Sequence, residues 1–296
     1  MTVKVAISLG DPAGIGPEVV AQALHDPRVR AEVEPLVFGD PEALQRSGKM
    51  YKIPTPPCVA VPGAALAFVD AALDAVLRGE AQALCTAPLS KERVAKLEDP
   101  GFVGHTEHLA RRTRSRVAMM MAGPRLRVAL ATNHVRLAEV PRRLTTEQLA
   151  FVIQLCHREL SARFGVARPR IAICGLNPHA SDGGLFGDEE ARLVAPAIEE
   201  AQRAGVDASG PHPADGLFPR AVKGEYDCVV ALYHDQGLIP AKLLDFDETV
   251  NVTLGLPFPR TSPDHGTAFD IAGQGKANPA PMISALLLAA RLAKPR

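Results

Sequence analysis

This chain has no excess of either charge. Its 33 Lys plus Arg balance its 33 Asp plus Glu, with a pI near 7.1, so it lacks the basic footprint of a protein that coats nucleic acid or an anionic lipid surface. Long apolar runs are missing too. No stretch approaches the roughly 18 residues of a membrane span, and residues 1–5 lead straight into a strand-like run rather than a basic, then apolar, leader. Cysteine is scarce. Cys58, Cys85, Cys156, Cys174 and Cys228 are odd in number and too widely spaced for a C-x-x-C metal or redox motif. The expectation is a cytoplasmic protein with reduced thiols, no nucleic-acid partner, no membrane and a small-molecule ligand.

With 296 residues, 47% of them apolar, the chain has material for about two domains with continuous cores. Short apolar runs alternate with amphipathic stretches, the rhythm of an α/β protein with mostly parallel sheets. Strands are predicted at 3–9, 35–38, 81–85, 116–121, 125–131, 170–174, 227–232 and 249–254. Helices are predicted at 17–24, at 146–163 behind a Thr145/Gln148 capping box, at 188–203 with a kink at Pro196, and at 281–292. Proline and glycine thicken at 100–104 and 255–266. They suggest an outer domain of residues 1–103 with 264–296 and a central domain of 104–263.

Three glycine loops invite a nucleotide-binding reading, and each fails on spacing. The third glycine of G-x-G-x-x-G is Val19 after Gly14 and Gly16, and Asn278 after Gly273 and Gly275; the loop at 182–187 lacks the first. Gly275-Lys276 is followed by Ala277, where a phosphate loop needs Ser or Thr. Ser8 has one glycine too few for a nucleophile elbow. A dinucleotide here must be held in another way.

Three of the nine histidines directly follow predicted parallel strands: His134, His179 and His234. Ligands of parallel sheets bind at that edge, and three imidazoles with positions left open describe a catalytic metal site better than a closed structural one. A lone histidine at a strand end is more often a hydrogen-bonded loop residue than a ligand, and it is the three equivalent positions together that bring the two readings level. Asp235 and Asp215 are carboxylates placed to complete or orient such a shell. Beyond His234, Lys242, Asn251 and Arg260 form a candidate anion clamp, although surface cations are usually just solvated.

These residues lie in ordered motifs: GDPAGIGPE at 10–18, GHTE at 104–107, GLNPHA at 175–180, PADGLF at 213–218, YHDQG at 233–237, NVTLGLP at 251–257 and DHGTA at 264–268. Over essentially its whole length the chain resembles the 4-hydroxythreonine-4-phosphate dehydrogenase family of pyridoxal 5'-phosphate biosynthesis. The resemblance implies a two-domain isocitrate/isopropylmalate dehydrogenase-like fold, a site in the interdomain cleft and a homodimer. It implies one divalent metal (zinc, cobalt or magnesium) on His134, His179 and His234, and a phosphorylated amino-acid substrate on His105, Thr106, Lys242, Asn251 and Arg260. It also implies that HGTAFDIAG at 265–273 holds adenosine as in isopropylmalate dehydrogenases. His265, Gly266 and Thr267 would then contact the cofactor, and Asp270 would accept from the ribose, favouring NAD over NADP.

The implied reaction is oxidation of 4-phosphooxy-L-threonine at C3 to 2-amino-3-oxo-4-phosphooxybutanoate, which decarboxylates to 3-amino-2-oxopropyl phosphate. Asp215 and Lys242 are the candidates for proton transfer. The alternatives are a related dehydrogenase of threonate or erythronate phosphate or of a dihydrodiol dicarboxylate, an acyl-phosphate transferase, and a ligand-responsive binding module. Asn133 before His134, and Val135-Arg136 after it, depart from the family pattern.

Overall fold

The computed structural model describes residues 2–294. Its strands are β1 (Val3–Ser8), β2 (Val33–Gly39), β3 (Cys58–Ala60), β4 (Ala83–Thr86), β5 (Ala118–Ala122), β6 (Arg127–Leu130), β7 (Arg170–Cys174), β8 (Asp207–His212), β9 (Cys228–Ala231), β10 (Val250–Leu254) and β11 (Arg260–Pro263). The chain divides into two compact units. One runs up to Val117 and resumes at Val250; the other is Ala118–Thr249.

In the first unit the strand order is β3-β2-β1-β4-β11-β10. All neighbours are parallel except the last pair. β1 and β4 are apolar and almost wholly buried, as strands covered on both faces must be. The helix Ala65–Leu77 sets Val69, Leu73 and Val76 against Ala6, Phe38 and Leu84. The C-terminal helix Ala280–Ala293 packs on β1, β4 and β11. Each large side chain so buried contributes about 1.5–3 kcal/mol.

The second unit has the order β5-β6-β9-β7-β8. Here β6, β9, β7 and β8 run parallel, and β5 is antiparallel to β6. Val128, Leu130, Ala172, Val229 and Ala231 meet Leu217 and the helix His234–Asp245 through Leu238 and Ala241. That helix approaches the sheet closely at Gly237, where an added Cβ would lie 2.8 Å from Leu130 and Val128. The helix Thr146–Glu159 begins as expected, with the Gln148 amide donating to Thr145 Oγ1 at 3.1 Å.

The domain borders expected near 104 and 263 lie inside the first unit. Its sheet claims 250–263 through the pairs Val250↔Pro263 and Arg260↔Leu84, and the helix His105–Thr113 buries Leu109 in its core. Proline and glycine mark where a chain turns, which need not be where its contacts end. The expected helix 188–203 has a π turn at Glu190–Val194 before the regular helix Ala195–Arg203, with Pro196 in its first turn. Strands β3, β8 and β11 were not expected. β8 and β11 are polar, yet Thr261 is buried because its hydroxyl donates to Ala285 O at 2.8 Å. No helix among the described residues is long and apolar enough to cross a membrane.

Candidate functional site

In the second unit β6, β9 and β7 are consecutive in the sheet, so their carboxyl ends bring the segments bearing His134, His234 and His179 to one edge. Side chains sew that edge together. Thr132 Oγ1 donates to Leu232 O at 2.7 Å, and Gln236 accepts from the Leu232 amide at 2.7 Å while donating to Gly175 O at 2.8 Å. The rings of His134 and His234 are neighbours, with centroids 5.6 Å apart and planes tilted by 40°. They line a cavity of about 320 Å³ with Asn133, Val140, Tyr233 and Asp235. His234 Nδ1 is 2.7 Å from Asp235 Oδ1, an arrangement that leaves Nε2 to act as a ligand. Asn133 Oδ1 is buried there without a hydrogen-bond partner.

His179 is placed differently. Residues 179–183 all have left-handed φ, from +45° to +75°, a conformation costing non-glycine residues about 1–2 kcal/mol each. Glu190 helps to hold this loop, accepting from the Leu176 and Asn177 amides at 2.8 and 2.7 Å and from Asn177 Nδ2 at 3.0 Å. Burial raises the Glu190 pKa, but the hydrogen bonds from Asn177 and Ser181 outweigh it and the carboxyl lies below its ordinary value. The exposed His179 ring has Phe186 at 6.5 Å. Among the described residues no three His, Cys, Asp or Glu side chains are grouped as a metal-binding set. Two of the three expected ligands are thus ring neighbours, and the third follows an adjacent strand on its own strained loop. Asp215 is exposed in the first turn of the helix Ala214–Val222, and Lys242 Nζ lies 6.0 Å from the Phe246 ring centroid.

The first unit contains a buried cation. Arg260 is 2% exposed; its Nη1 donates to Thr253 Oγ1 at 3.1 Å and its Nη2 to Thr86 Oγ1 at 2.6 Å. Its Nε is buried with no partner, and among the described residues no carboxylate lies within ion-pair distance of it. Burial brings its pKa down to about 10, against the opposing pull of Cys85 and Glu107. His105 opens the helix His105–Thr113, with Nε2 buried and unpartnered. Its pKa is driven well below the ordinary imidazole value by burial first, then by Arg260, His108 and Lys91. Thr106 is half-buried in the same turn, Asn251 is paired with Ser262 on β10, and Ser8 Oγ, beside Thr86 in the sheet, is also buried and unpartnered. A guanidinium, an imidazole and hydroxyls with unused hydrogen-bonding capacity make a receptor for a compact anion.

The segment expected to hold a dinucleotide has His265 Nδ1 3.0 Å from Gly266 O, Thr267 O accepting from the Ile15 amide at 2.9 Å, and Asp270 exposed. Thr86 and Thr253, which hold Arg260, were missed in the sequence. Their signal was a hydroxyl residue at the end of, or inside, an otherwise apolar strand.

Residues 32–289 match the family described as pyridoxal phosphate biosynthetic protein PdxA. A 4-hydroxythreonine-4-phosphate dehydrogenase of Geobacter metallireducens is 44% identical over 98% of this chain and 96% of its own. The crystal structure of a 4-hydroxythreonine-4-phosphate dehydrogenase from Klebsiella pneumoniae is 38% identical, covers 99% of this chain and 98% of that one, and superposes with a TM-score of 0.88. More distant is a terephthalate 1,2-cis-dihydrodiol dehydrogenase from Burkholderia xenovorans, 28% identical with a TM-score of 0.69, covering 98% of each chain. At 18% identity and a TM-score of 0.56 over 97% of this chain and 82% of that one, a β-decarboxylating dehydrogenase of Thermococcus kodakarensis shares the fold alone. The motifs are therefore met together with the fold they belong to, and the chain belongs to the PdxA family of pyridoxal phosphate biosynthetic proteins.

Proposed function

We propose that this protein is an NAD- and divalent-metal-dependent 4-hydroxythreonine-4-phosphate dehydrogenase. It oxidises 4-phosphooxy-L-threonine at C3 to 2-amino-3-oxo-4-phosphooxybutanoate, which loses CO2 to give 3-amino-2-oxopropyl phosphate. The observation that carries this reading is Arg260, a fully buried guanidinium with unused N–H donors and two hydroxyl partners. A buried cation with no carboxylate in ion-pair contact costs several kcal/mol, and an anionic substrate group offsets that cost. Arg260 takes the phosphate, aided by His105, Thr106, Lys242 and Asn251. His105, kept neutral by burial and by its cationic neighbours, contributes a hydrogen bond rather than a charge.

His134, His234 and His179 would hold the metal. The paired rings, and the Nδ1 contact of His234 with Asp235, fit that role. When bound, the metal supplies Lewis acidity toward the C3 hydroxyl and NAD supplies the hydride acceptor. The hydroxyl proton goes to Lys242 or Asp215. His265, Gly266 and Thr267 contact the dinucleotide, and Asp270 accepts from its ribose and repels a 2'-phosphate, favouring NAD over NADP. Zinc suits imidazole ligands best, with cobalt or magnesium the other candidates.

A homodimer is supported by an apolar stripe on the segment that carries His234. Ile239, Leu243 and Phe246 are 63%, 84% and 64% exposed, and their spacing puts them on one helical side. A cytoplasmic location agrees with five unpaired thiols. The dihydrodiol dehydrogenase relative keeps a second reading open to test, because an arginine fork binds carboxylate as well as phosphate.

The deciding experiment is NADH formation with 4-phosphooxythreonine, threonate and erythronate phosphates and a dihydrodiol dicarboxylate, together with metal analysis of wild type and His179→Ala. Turnover of 4-phosphooxythreonine foremost, with metal lost in the variant, supports the proposal. Preference for the dicarboxylate overturns the substrate, and unchanged metal content and activity in His179→Ala overturn the ligand set.

A further inference from the structure

The motif at 10–18 failed as a phosphate-binding fingerprint, and the fold gives it other contacts. Gly14 lies so close to Thr267 that an added Cβ would be 2.7 Å from the Thr267 carbonyl oxygen. The next amide, of Ile15, donates to that same oxygen at 2.9 Å. Four residues after Gly14, Glu18 is 3% exposed, and each of its carboxylate oxygens has a donor. Oε1 accepts from the Gly273 amide at 2.6 Å and Oε2 from the Tyr51 hydroxyl at 2.7 Å. One turn further on, Gln22 Nε2 donates to Ala277 O at 3.2 Å. The helix Gly16–His25 and the loop before it thus grip the segment 267–277 at Thr267, Gly273 and Ala277.

The gripped segment needs support. Ala268 has φ +42°, a left-handed conformation that persists in a residue with a Cβ only when its surroundings impose it. Asp270, exposed, lies between the two nearest grips, Thr267 and Gly273. The Tyr51 hydroxyl is pushed up to about 12 by burial and then by Glu18, so it stays protonated and donating throughout the range where the protein is handled.

We infer that Glu18 is a positioning residue for dinucleotide binding: its carboxylate, bridging Gly273 and Tyr51, fixes the loop that presents Asp270. The inference rests on the dinucleotide reading given above. It assigns the GIGPE run a purpose other than phosphate contact, since Gly14 admits the backbone of the gripped loop and Glu18 locks it.

The test is NAD titration of wild type, Glu18→Ala, Glu18→Gln and Tyr51→Phe, with inorganic phosphate titrated in parallel. Loss of a hydrogen bond to a charged group predicts NAD affinity about tenfold weaker in Glu18→Ala, with phosphate affinity within about twofold of wild type. Glu18→Gln, which keeps one acceptor, recovers most of the loss, and Tyr51→Phe, which removes one donor, loses an intermediate amount. Hydrogen exchange at Gly273 quickens in Glu18→Ala. Equal NAD affinity in wild type and Glu18→Ala overturns the inference while leaving the dinucleotide reading intact. So does a parallel loss of NAD and phosphate affinity, the mark of general destabilisation. Should Glu18→Ala not fold, the Gln and Phe variants decide by the same criteria. Wild-type protein that binds phosphate but no NAD overturns the dinucleotide reading itself, and this inference with it.

Discussion

Replacing Arg260 by Met separates function from stability at one position, because Met keeps most of the buried apolar stem and removes the charge. A guanidinium has five N–H donors, and Thr86 and Thr253 each accept from one nitrogen. The buried Nε–H and a remaining Nη–H are left to form a two-point bond with a phosphate. Charge-assisted hydrogen bonds contribute about 1.5–3 kcal/mol each, so losing two costs about 3–6 kcal/mol. On the proposed reading His105, Thr106 and Asn251 would share the load, which favours the low end, about a hundredfold in kcat/KM for the phosphorylated substrate. Stability should respond otherwise. Breaking a buried salt bridge costs about 3–5 kcal/mol, but deleting a buried cation with no carboxylate partner does not incur that penalty. The two hydroxyls left behind cost about 1–3 kcal/mol each at most, offset by the desolvation no longer required. Urea unfolding of ligand-free Arg260→Met should therefore fall within about 2 kcal/mol of wild type, and added phosphate should raise the midpoint of wild type only. An unchanged kcat/KM would refute the anion-pocket argument. A destabilisation on the scale of a broken salt bridge would refute the claim that no carboxylate pairs with this cation.

Acid sensitivity follows from His105, whose folded-state pKa lies well below its unfolded value of about 6.5. Its contribution is fully present above about pH 6.5 and is lost as the pH falls toward the folded pKa, by up to about 1.4 kcal/mol per pH unit. His212, lowered by burial and then by Arg220, adds the same sign. Urea titrations at neutral and mildly acid pH should show His105→Asn flattening the slope; an unchanged slope would assign the sensitivity elsewhere. Gly237→Ala puts a methyl 2.8 Å from Leu130 and Val128 and 3.1 Å from Ala231. Overpacking there should cost about 1–3 kcal/mol and, by shifting the helix that begins at His234, reduce metal affinity in an equilibrium titration. Wild-type stability together with wild-type metal affinity would contradict that coupling.

Much of this protein was legible in its residues because the signals are local. Apolar runs flanked by amphipathic stretches specify strands and helices wherever the chain goes, and Thr145 with Gln148 caps its helix from four residues of sequence. The three histidines could be assigned to strand ends for the same reason. The polar strand β11 was not legible: Thr261 and Ser262 carry no apolar pattern, and the Thr261 hydroxyl is satisfied in the core by a partner distant in sequence, Ala285. Nor could spacing tell that Glu18 reaches Gly273, that the 179–183 loop turns left-handed, or that 250–263 belongs to the first unit. The sequence alone determined the α/β class, the family and the residue types available for chemistry, since these depend on local pattern and ordered motifs. Which cation is buried without an ion-pair partner, which hydroxyls hold it and which two histidines meet were decided by the tertiary structure. Burial and electrostatic environment are properties of neighbours in space, which chain order does not encode position by position.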